Sequence, residues 1–517
     1  MKKHLIYLLV LPILLSTMVY PQISSRKIDK LVKEAMETFN VAGVAIGIVK
    51  DGKVIHRKGY GVKSIETDEL VNEHTNFAIA SNTKAFTTVA LSILVDEGKL
   101  NWDDKVIDHI PEFKMYNEYV TQNINITDLV THRSGLGKGA GDLMWWPTGT
   151  NFTIEDVLSC FQYFEPTTAF RTTHRYNNIL YIVAGEVVAR ISGMSWKDFV
   201  KTHIFTSLGM DNSFIFFSQT KIKTNIATPH LEKDGILKTI PQFEGIIASS
   251  AAEIYSNVDD LCNWMLVHLN KGKYGEDLEN QLFSEDNHKK MWKIHTVFKP
   301  DTSTRYNSHF NTGGMGWYME DKQGNMIVSH GGSLPGMRSL PVLVPELDLG
   351  IFILTNTETG GYLHRSVTKT IIDKYLKLDE YDWIDYYYKR LQKYEARGDS
   401  VTAIVWDTVE MVNEENINID NYLGIFEDNW FGKAEVYLND NQLWFKFYRS
   451  SKLNGPMYYY NANAFVINWE YQVMNPDVFA IFSLDEEGKA QSIKMKGISP
   501  NIDFSYDFQD LDLKRIE

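Results

Sequence analysis

The sequence predicts a multidomain α+β chain that ends in an all-β barrel, and three observations predict it. An apolar hairpin near the N-terminus and four strand-like runs between Met315 and Leu354 enclose a long helical middle. Beyond about Asn418 the apolar period shortens to two, with turn clusters between the runs. At 517 residues and 44% hydrophobic content, the chain can bury a large core and hold more than one domain.

Taken in order, Met1-Lys2-Lys3-His4 precedes an apolar run from Leu5 to about Val19 and then polar Gln22 to Lys27. That is the basic-then-apolar order of a secretory signal, and the run is short for a membrane span of about 20 residues. Residues 1–22 are therefore read as a signal peptide and the mature chain as exported, periplasmic or secreted. No Ala-x-Ala pattern marks a cleavage site, so an uncleaved anchor stays open. Ile28, Leu31, Val32, Ala35, Met36 and Phe39 fall on one helical stripe, which predicts a helix packed on the hairpin that follows. Val41–Val49 and Lys53–Gly59 pair through Asp51-Gly52, a strong two-residue turn signal. Helices run to about Met265, and strands return at Met315–Met319, Met326–Ser329, Ser339–Val344 and Gly350–Leu354 before a helix at about Ser366–Leu378. Residues 23–380 form one domain. Residues 381–417 are charged and helical, interrupted by Arg397-Gly398-Asp399-Ser400, and read as a linker. Residues 418–517 hold the barrel, in which Leu443, Phe445 and Phe447 alternate with polar or outward positions and short runs recur at Phe465–Trp469, Val478–Leu484, Ser492–Lys496 and Phe504–Phe508.

Three short motifs stand in fixed order: Ser81-Asn82-Thr83-Lys84, Tyr176-Asn177-Asn178 and His330-Gly331-Gly332. A serine hydroxyl is a weak nucleophile at neutral pH and must lose its proton to a neighbouring base as it attacks. On a helix, positions i and i+3 share a face, so Ser-x-x-Lys sets an amine beside the hydroxyl. Four such pairs occur: Ser24/Lys27, Ser81/Lys84, Ser218/Lys221 and Ser366/Lys369. Context selects Ser81. It follows Phe77-Ala78-Ile79-Ala80 and opens a run from Ala85 to Val95 apolar enough to be a buried helix, whose N-terminal amides favour developing anionic oxygen.

Flanking motifs carry the identification further. They include Val41–Val49, Glu97-Gly98-Lys99-Leu100, the run from Ile126 to Leu136 that contains His132-Arg133-Ser134-Gly135, Leu208-Gly209-Met210, Ser256 to Leu261, and Gly314-Met315-Gly316-Trp317. Over about residues 25 to 380 the chain resembles the serine beta-lactamase and penicillin-binding-protein-like superfamily, in its class C-type branch with esterases and D-amino-acid peptidases. The resemblance implies an antiparallel sheet flanked by helices plus a helical subdomain, with the site between them. It implies Ser81 as the acylated nucleophile, Lys84 as holder of its proton network and Tyr176 as the family's motif tyrosine. With an ordinary pKa of about 10, that tyrosine acts as a base only where a cation such as Lys84 stabilises its phenolate. Asn178 is implied to bind substrate amide and lysine, and the amides of Ser81 and Ser333 to form the oxyanion hole. Tyr422–Phe426 and Asp503–Phe508 are similar to the lipocalin-like C-terminal domain of some peptidases of this superfamily. Either capping the catalytic domain or self-association, as a homo-oligomer, is the role expected of it.

The third motif departs from a true beta-lactamase. Where the family has Lys-Thr-Gly to grip a substrate carboxylate, His330, Gly331 and Gly332 supply a mostly neutral ring and no hydroxyl. Ester or peptide hydrolysis, including D-amino-acid-containing peptides, is favoured over beta-lactam hydrolysis. A weak class C-type beta-lactamase and a non-hydrolytic penicillin-binding sensor remain the alternatives. No Gly-x-Ser-x-Gly elbow supports an alpha/beta-hydrolase, and neither His-Glu-x-x-His nor paired Cys-x-x-Cys supports a metal, so no cofactor is expected. A net charge of −14 argues against nucleic acid as a partner, leaving a small molecule or peptide as the substrate. Cys160 and Cys262 sit in apolar helical patterns, compatible with two buried thiols or one disulfide. Trp145-Trp146 lies between the His132 motif and Tyr176, where the resemblance implies loops over the cleft, as an apolar substrate wall or as core.

Overall fold

The computed structural model describes residues 23–215, 224–233, 235–245, 247–412 and 417–517. The signal-peptide reading of residues 1–22 and the Ser218/Lys221 pair lie outside them. Among the described residues no single helix is long and apolar enough to cross a membrane.

Helix α1 (Ser25–Thr38) buries Ile28, Val32 and Ala35, the stripe read from the sequence. The hairpin β1 (Gly43–Lys50) and β2 (Lys53–Gly61) turns at Asp51 and Gly52, whose φ values of 52° and 70° are the two positive angles that a type I′ turn needs. Helices α2 (Thr83–Asp96), α3 (Ile179–Ser192) and α4 (Val258–Leu269) make up much of the helical middle. All but two residues of α2 are buried, which accounts for its lack of an amphipathic pattern.

The sheet resumes with β3 (Thr296–Phe298), β4 (Asn311–Gly313), β5 (Tyr318–Lys322), β6 (Asn325–Ser329), β7 (Gly332–Leu334), β8 (Met337–Val344) and β9 (Leu349–Thr355). Its order is β3-β4-β5-β6-β8-β9-β1-β2, with short β7 hydrogen-bonded to β8. The N-terminal hairpin thus docks beside the last strand, Ile46 opposite Ile353, and both β1 and β9 are buried along their length between helical layers. On one face α1 and helix α5 (Gly360–Tyr375) share a core with β1 and β9, and on the other face α4 lies across them. Two expected boundaries move. The strand expected from Met315 begins at Tyr318, because Gly316 takes a φ of 76° and makes a turn. The helix expected from Ser366 begins at Gly360, where a Cβ would stand 1.9 Å from Thr355 Oγ1, so glycine lets the helix start against the strand end.

The segment read as a linker divides between its neighbours. Helix α6 (Trp383–Arg397) buries Trp383, Ile384, Tyr387 and Leu391 in the core shared with α1 and α5. Helix α7 (Ser400–Met411) instead sets Val405 against Val466 and Ile498 of the barrel, with Gly398 at a φ of 54° between the helices.

The C-terminal barrel is closed by β10 (Gly424–Asp428), β11 (Gly432–Asn439), β12 (Gln442–Phe447), β13 (Ser450–Asn461), β14 (Ala464–Ile467), β15 (Val478–Leu484), β16 (Ala490–Gly497) and β17 (Leu513–Arg515). Phe426, Phe445, Phe465, Trp469 and Phe482 fill its interior. The strand expected at Phe504–Phe508 is not a strand. It belongs to a strap between β16 and β17 that leaves the barrel and lies against residues 139–146 of the first domain, its alternating pattern satisfied by two domains instead of two sheet faces. Cys160 and Cys262 are both buried free thiols.

Candidate active site

Ser81 sits in a 3₁₀ turn, Ala80–Asn82, that runs directly into α2. Ala80 holds a φ of 51°, a left-handed conformation that costs a non-glycine residue about 1–3 kcal/mol and so needs support from its surroundings. The support is visible on both sides. Ile79 N–H donates to the Ile254 carbonyl at 2.9 Å, and the Ile79 carbonyl accepts from the Ser339 hydroxyl of β8 at 2.7 Å. Asn82, the second residue of the first motif, donates from Nδ2 to Ser339 Oγ at 2.7 Å. Gly332 completes the contact: a Cβ there would meet the Ile79 carbonyl at 2.2 Å and Ser339 Oγ at 2.1 Å. Only glycine lets β7 lie this close to the loop that carries Ser81.

The three motifs converge. Lys84 Nζ lies 3.1 Å from Ser81 Oγ and donates to Asn178 Oδ1 at 2.7 Å and to the Ala251 carbonyl at 2.9 Å. The Tyr176 phenol donates to Ser81 Oγ at 2.8 Å. Asn177 holds the start of α3, its Oδ1 accepting from Leu180 N–H at 3.0 Å, which leaves Asn178 free to face Lys84. Ser333 on β7 and Gly331 line the cleft. Ser366 is not brought here: it is buried within α5, its hydroxyl donating to the Leu363 carbonyl at 2.9 Å.

Burial pulls Lys84 down to about 7, opposed by the Asp142 carboxylate, which favours the charged amine. Burial pushes the Tyr176 phenol well above its ordinary value, and the neighbouring Tyr318, Tyr181 and Asp142 push it the same way. That direction favours a phenol that keeps its proton and donates to Ser81 over a phenolate stabilised by Lys84. His330 is 3% exposed, its Nδ1–H donating to the Gly316 carbonyl at 2.7 Å, and burial pulls the ring to about 4. It is neutral at pH 7 and carries no charge to the cleft edge.

The cleft has a volume of about 400 Å³ and is walled by Trp145, Trp146, His174, Tyr318, Phe504 and the three motifs. Trp145 and Trp146 are both wall and core, packed on Phe243 behind them. Several contributors were not read from the sequence. His132 accepts the Asn177 amide at Nδ1 (3.1 Å) and sets its ring 4.4 Å from that of Tyr176, holding the phenol from behind. The sequence showed His132 inside a motif but gave no sign of what it touched. Asp142 accepts from Asn178 Nδ2 at 2.7 Å and Trp145 Nε1 at 3.1 Å, and its signal was the one acidic residue in the Gly-rich run from Gly135 to Trp146. From the barrel, Asp503, Phe504 and Ser505 enter the cleft, with the Phe504 ring edge-on to Tyr176 at 5.7 Å.

A family model described as Beta-lactamase matches residues 28–372, and a domain of unknown function, DUF3471, matches residues 413–515. Unguisins hydrolase ungD' of Aspergillus campestris (strain IBT 28561) is 25% identical over 376 residues, covering 69% of this chain and 67% of that protein. Protein flp of Staphylococcus aureus (strain MW2) is 27% identical over 337 residues, which is 64% of this chain and 63% of flp, so the match spans less than two thirds of that relative. Among solved structures, the octameric penicillin-binding protein homologue from Pyrococcus abyssi aligns over 95% of this chain and all of its own, with a TM-score of 0.60 and 19% identity. SurE with D-Leu aligns over 95% of this chain and 99% of its own, with a TM-score of 0.54 and 16% identity. A class C beta lactamase from Rhodobacter sphaeroides covers 68% of this chain and 99% of its own at a TM-score of 0.54 and 18% identity.

Proposed function

The chain belongs to the beta-lactamase family, and from that premise we propose that it is a serine hydrolase of peptide or ester bonds that works through an acyl-enzyme on Ser81. The observation that carries the reading is the position of Ser81 Oγ, which accepts the Tyr176 phenol at 2.8 Å while Lys84 Nζ stands 3.1 Å away. With its amine near half-neutral at pH 7, Lys84 takes the Ser81 proton as Oγ attacks the carbonyl carbon. The amides of Ser81 and Ser333 receive the developing oxyanion. The carbon–nitrogen or carbon–oxygen bond then breaks, the leaving group taking a proton from the Tyr176 phenol, which the neighbouring Lys84 ammonium restores with the proton it took from Ser81. Water, losing its proton to the same network, releases the acid and frees Ser81. The acid limb of kcat/KM follows from the sign of this step: activity rises with pH as Lys84 loses its proton near about 7.

The substrate side of the reading rests on the neutral, buried His330 and the open space at Gly331, where nothing lies within 4 Å of a Cβ. A charge-assisted grip on a free carboxylate is worth about 1.5–3 kcal/mol, or roughly tenfold to a hundredfold in efficiency. A relative named as a hydrolase and a structural neighbour bound to D-Leu put peptides, D-residues among them, on the list of substrates to test. The test compares kcat/KM for p-nitrophenyl esters, D- and L-aminoacyl anilides and a chromogenic cephalosporin. The expected order places esters or aminoacyl substrates above the cephalosporin. Efficient cephalosporin turnover contradicts the peptidase or esterase assignment, and one stoichiometric acylation without turnover points to a sensor.

A further inference from the structure

Asp142 is fully buried, yet it belongs to neither the nucleophile nor the cleft wall. Its Oδ1 accepts from Trp145 Nε1–H at 3.1 Å, and its Oδ2 accepts from Asn178 Nδ2 at 2.7 Å and from the Ser505 hydroxyl at 2.9 Å. An indole N–H and an amide NH₂ only donate, so the geometry suits an ionised carboxylate. The opposite end of the Asn178 amide accepts from Lys84 Nζ at 2.7 Å, which leaves one side chain between the carboxylate and the catalytic amine. Ser505 comes from the barrel strap, and two residues on, Asp507 fastens that strap by accepting Gly141 N–H at 2.6 Å and Leu143 N–H at 2.8 Å, the amides on either side of Asp142.

We propose that Asp142 is a positioning residue that governs, through Asn178, when Lys84 releases its proton, and that Ser505 completes it from the barrel, coupling the seating of the strap to Ser81 acylation. The inference rests on the reading of Ser81 and Lys84 above. The charges that face the pair are few. Burial opposes ionisation of Asp142, whereas the three donors and Lys84 favour it, and the Asp142 charge, with Asp510, pushes Asp507 up in turn. His132 and His330, on the other side of Lys84, are both held neutral by burial. Burial itself pushes Asp142 up to about 7, so loss of one donor changes its charge within the working range.

The sign is then set. A carboxylate near Lys84 favours the ammonium, so removing its charge lets Lys84 become neutral at lower pH and moves the acid limb down. Removing the Ser505 hydroxyl makes Asp142 keep its proton to higher pH, which moves the limb the same way by less. The experiment measures the rate of fluorophosphonate labelling of the full-length protein from about pH 5 to pH 9. Asp142→Asn should shift the acid limb down by about one pH unit and Ser505→Ala by about half a unit. Ser505→Thr keeps the hydroxyl and should leave the acid limb at its wild-type position, whatever its absolute labelling rate. Ser451→Ala, which alters another barrel contact at the Gly149 carbonyl, should leave the limb in place. Labelling that is slower at every pH with an unmoved limb in both Asp142→Asn and Ser505→Ala overturns the coupling and makes Asp142 merely structural. Should Asp142→Asn not fold, Ser505→Ala against Ser505→Thr decides alone. A wild type that takes no label at Ser81 overturns the hydrolase reading and this inference with it, whereas label with a fixed limb overturns this inference only.

Discussion

At the residue scale, the chemistry of the site depends on side chains whose meaning was carried by spacing and on one glycine whose meaning was carried by space. Ser81 and Lys84 were legible because helical geometry fixes what i and i+3 can do. Asn82 and Gly332 were not assigned their roles, because the clamp joining Ile79, Ser339 and β7 connects residues more than 250 apart in the chain. That clamp makes a direct prediction. Gly332→Ala drives a Cβ into the Ile79 carbonyl and Ser339, so the strand or the nucleophile loop must shift. Activity should fall by at least about a hundredfold, since displacements near 1 Å are enough for such losses. Gly331→Ala meets nothing within 4 Å and should keep activity within about threefold. Steady-state kinetics on the two variants, with circular dichroism to confirm folding, checks the contrast.

At the scale of elements, the hairpin, α1, α2 and most sheet strands were legible because each is a simple apolar period bounded by a turn or cap. The strap was not. Phe504, Tyr506 and Phe508 alternate as a strand does, but Phe504 goes to Tyr176 while Tyr506 meets Trp146 and stacks on Phe508. Period alone cannot say which of two domains a residue faces. The anchor of the strap is Asp507, whose carboxylate satisfies two buried backbone amides. Asp507→Ala leaves both unpaired at a cost of about 1–3 kcal/mol each, offset in part because burial and the neighbouring Asp510 and Asp142 disfavour the charge. The net effect should be a lower Tm with faster proteolysis of the barrel. An unchanged Tm would mean that the strap is held by its aromatic contacts alone.

At the scale of the molecule, the barrel and the catalytic domain share one continuous core. Phe152 packs on Phe431, Phe164 on Trp430 and Trp146 on Tyr506, and Arg449 pairs with Asp156 at 2.9 Å across the seam. A barrel was legible from its period of two, but its place in the cleft was not, since the sequence suggested a cap or an oligomer surface without saying which residues it would touch. Two consequences are expected. Limited proteolysis should cut near Gly398, between the helix that belongs to the first domain and the helix that belongs to the barrel, so that α7 travels with the barrel. Deleting residues 400–517 should expose the apolar seam and remove Phe504 and Ser505 from the site, lowering both solubility and Ser81 reactivity. A truncated protein that labels at the wild-type rate would show the strap to be dispensable.

The central claim is that Ser81 is the residue acylated, and covalent labelling tests it most directly. The full-length protein is treated with a fluorophosphonate near pH 8, digested and mapped by mass spectrometry, alongside Ser81→Ala and Ser366→Ala. The account predicts one labelled peptide containing Ser81, complete loss of label and turnover in Ser81→Ala, and no loss in Ser366→Ala, whose hydroxyl is buried within its own helix. Label on Ser366, or on any residue other than Ser81 with turnover surviving Ser81→Ala, would contradict it.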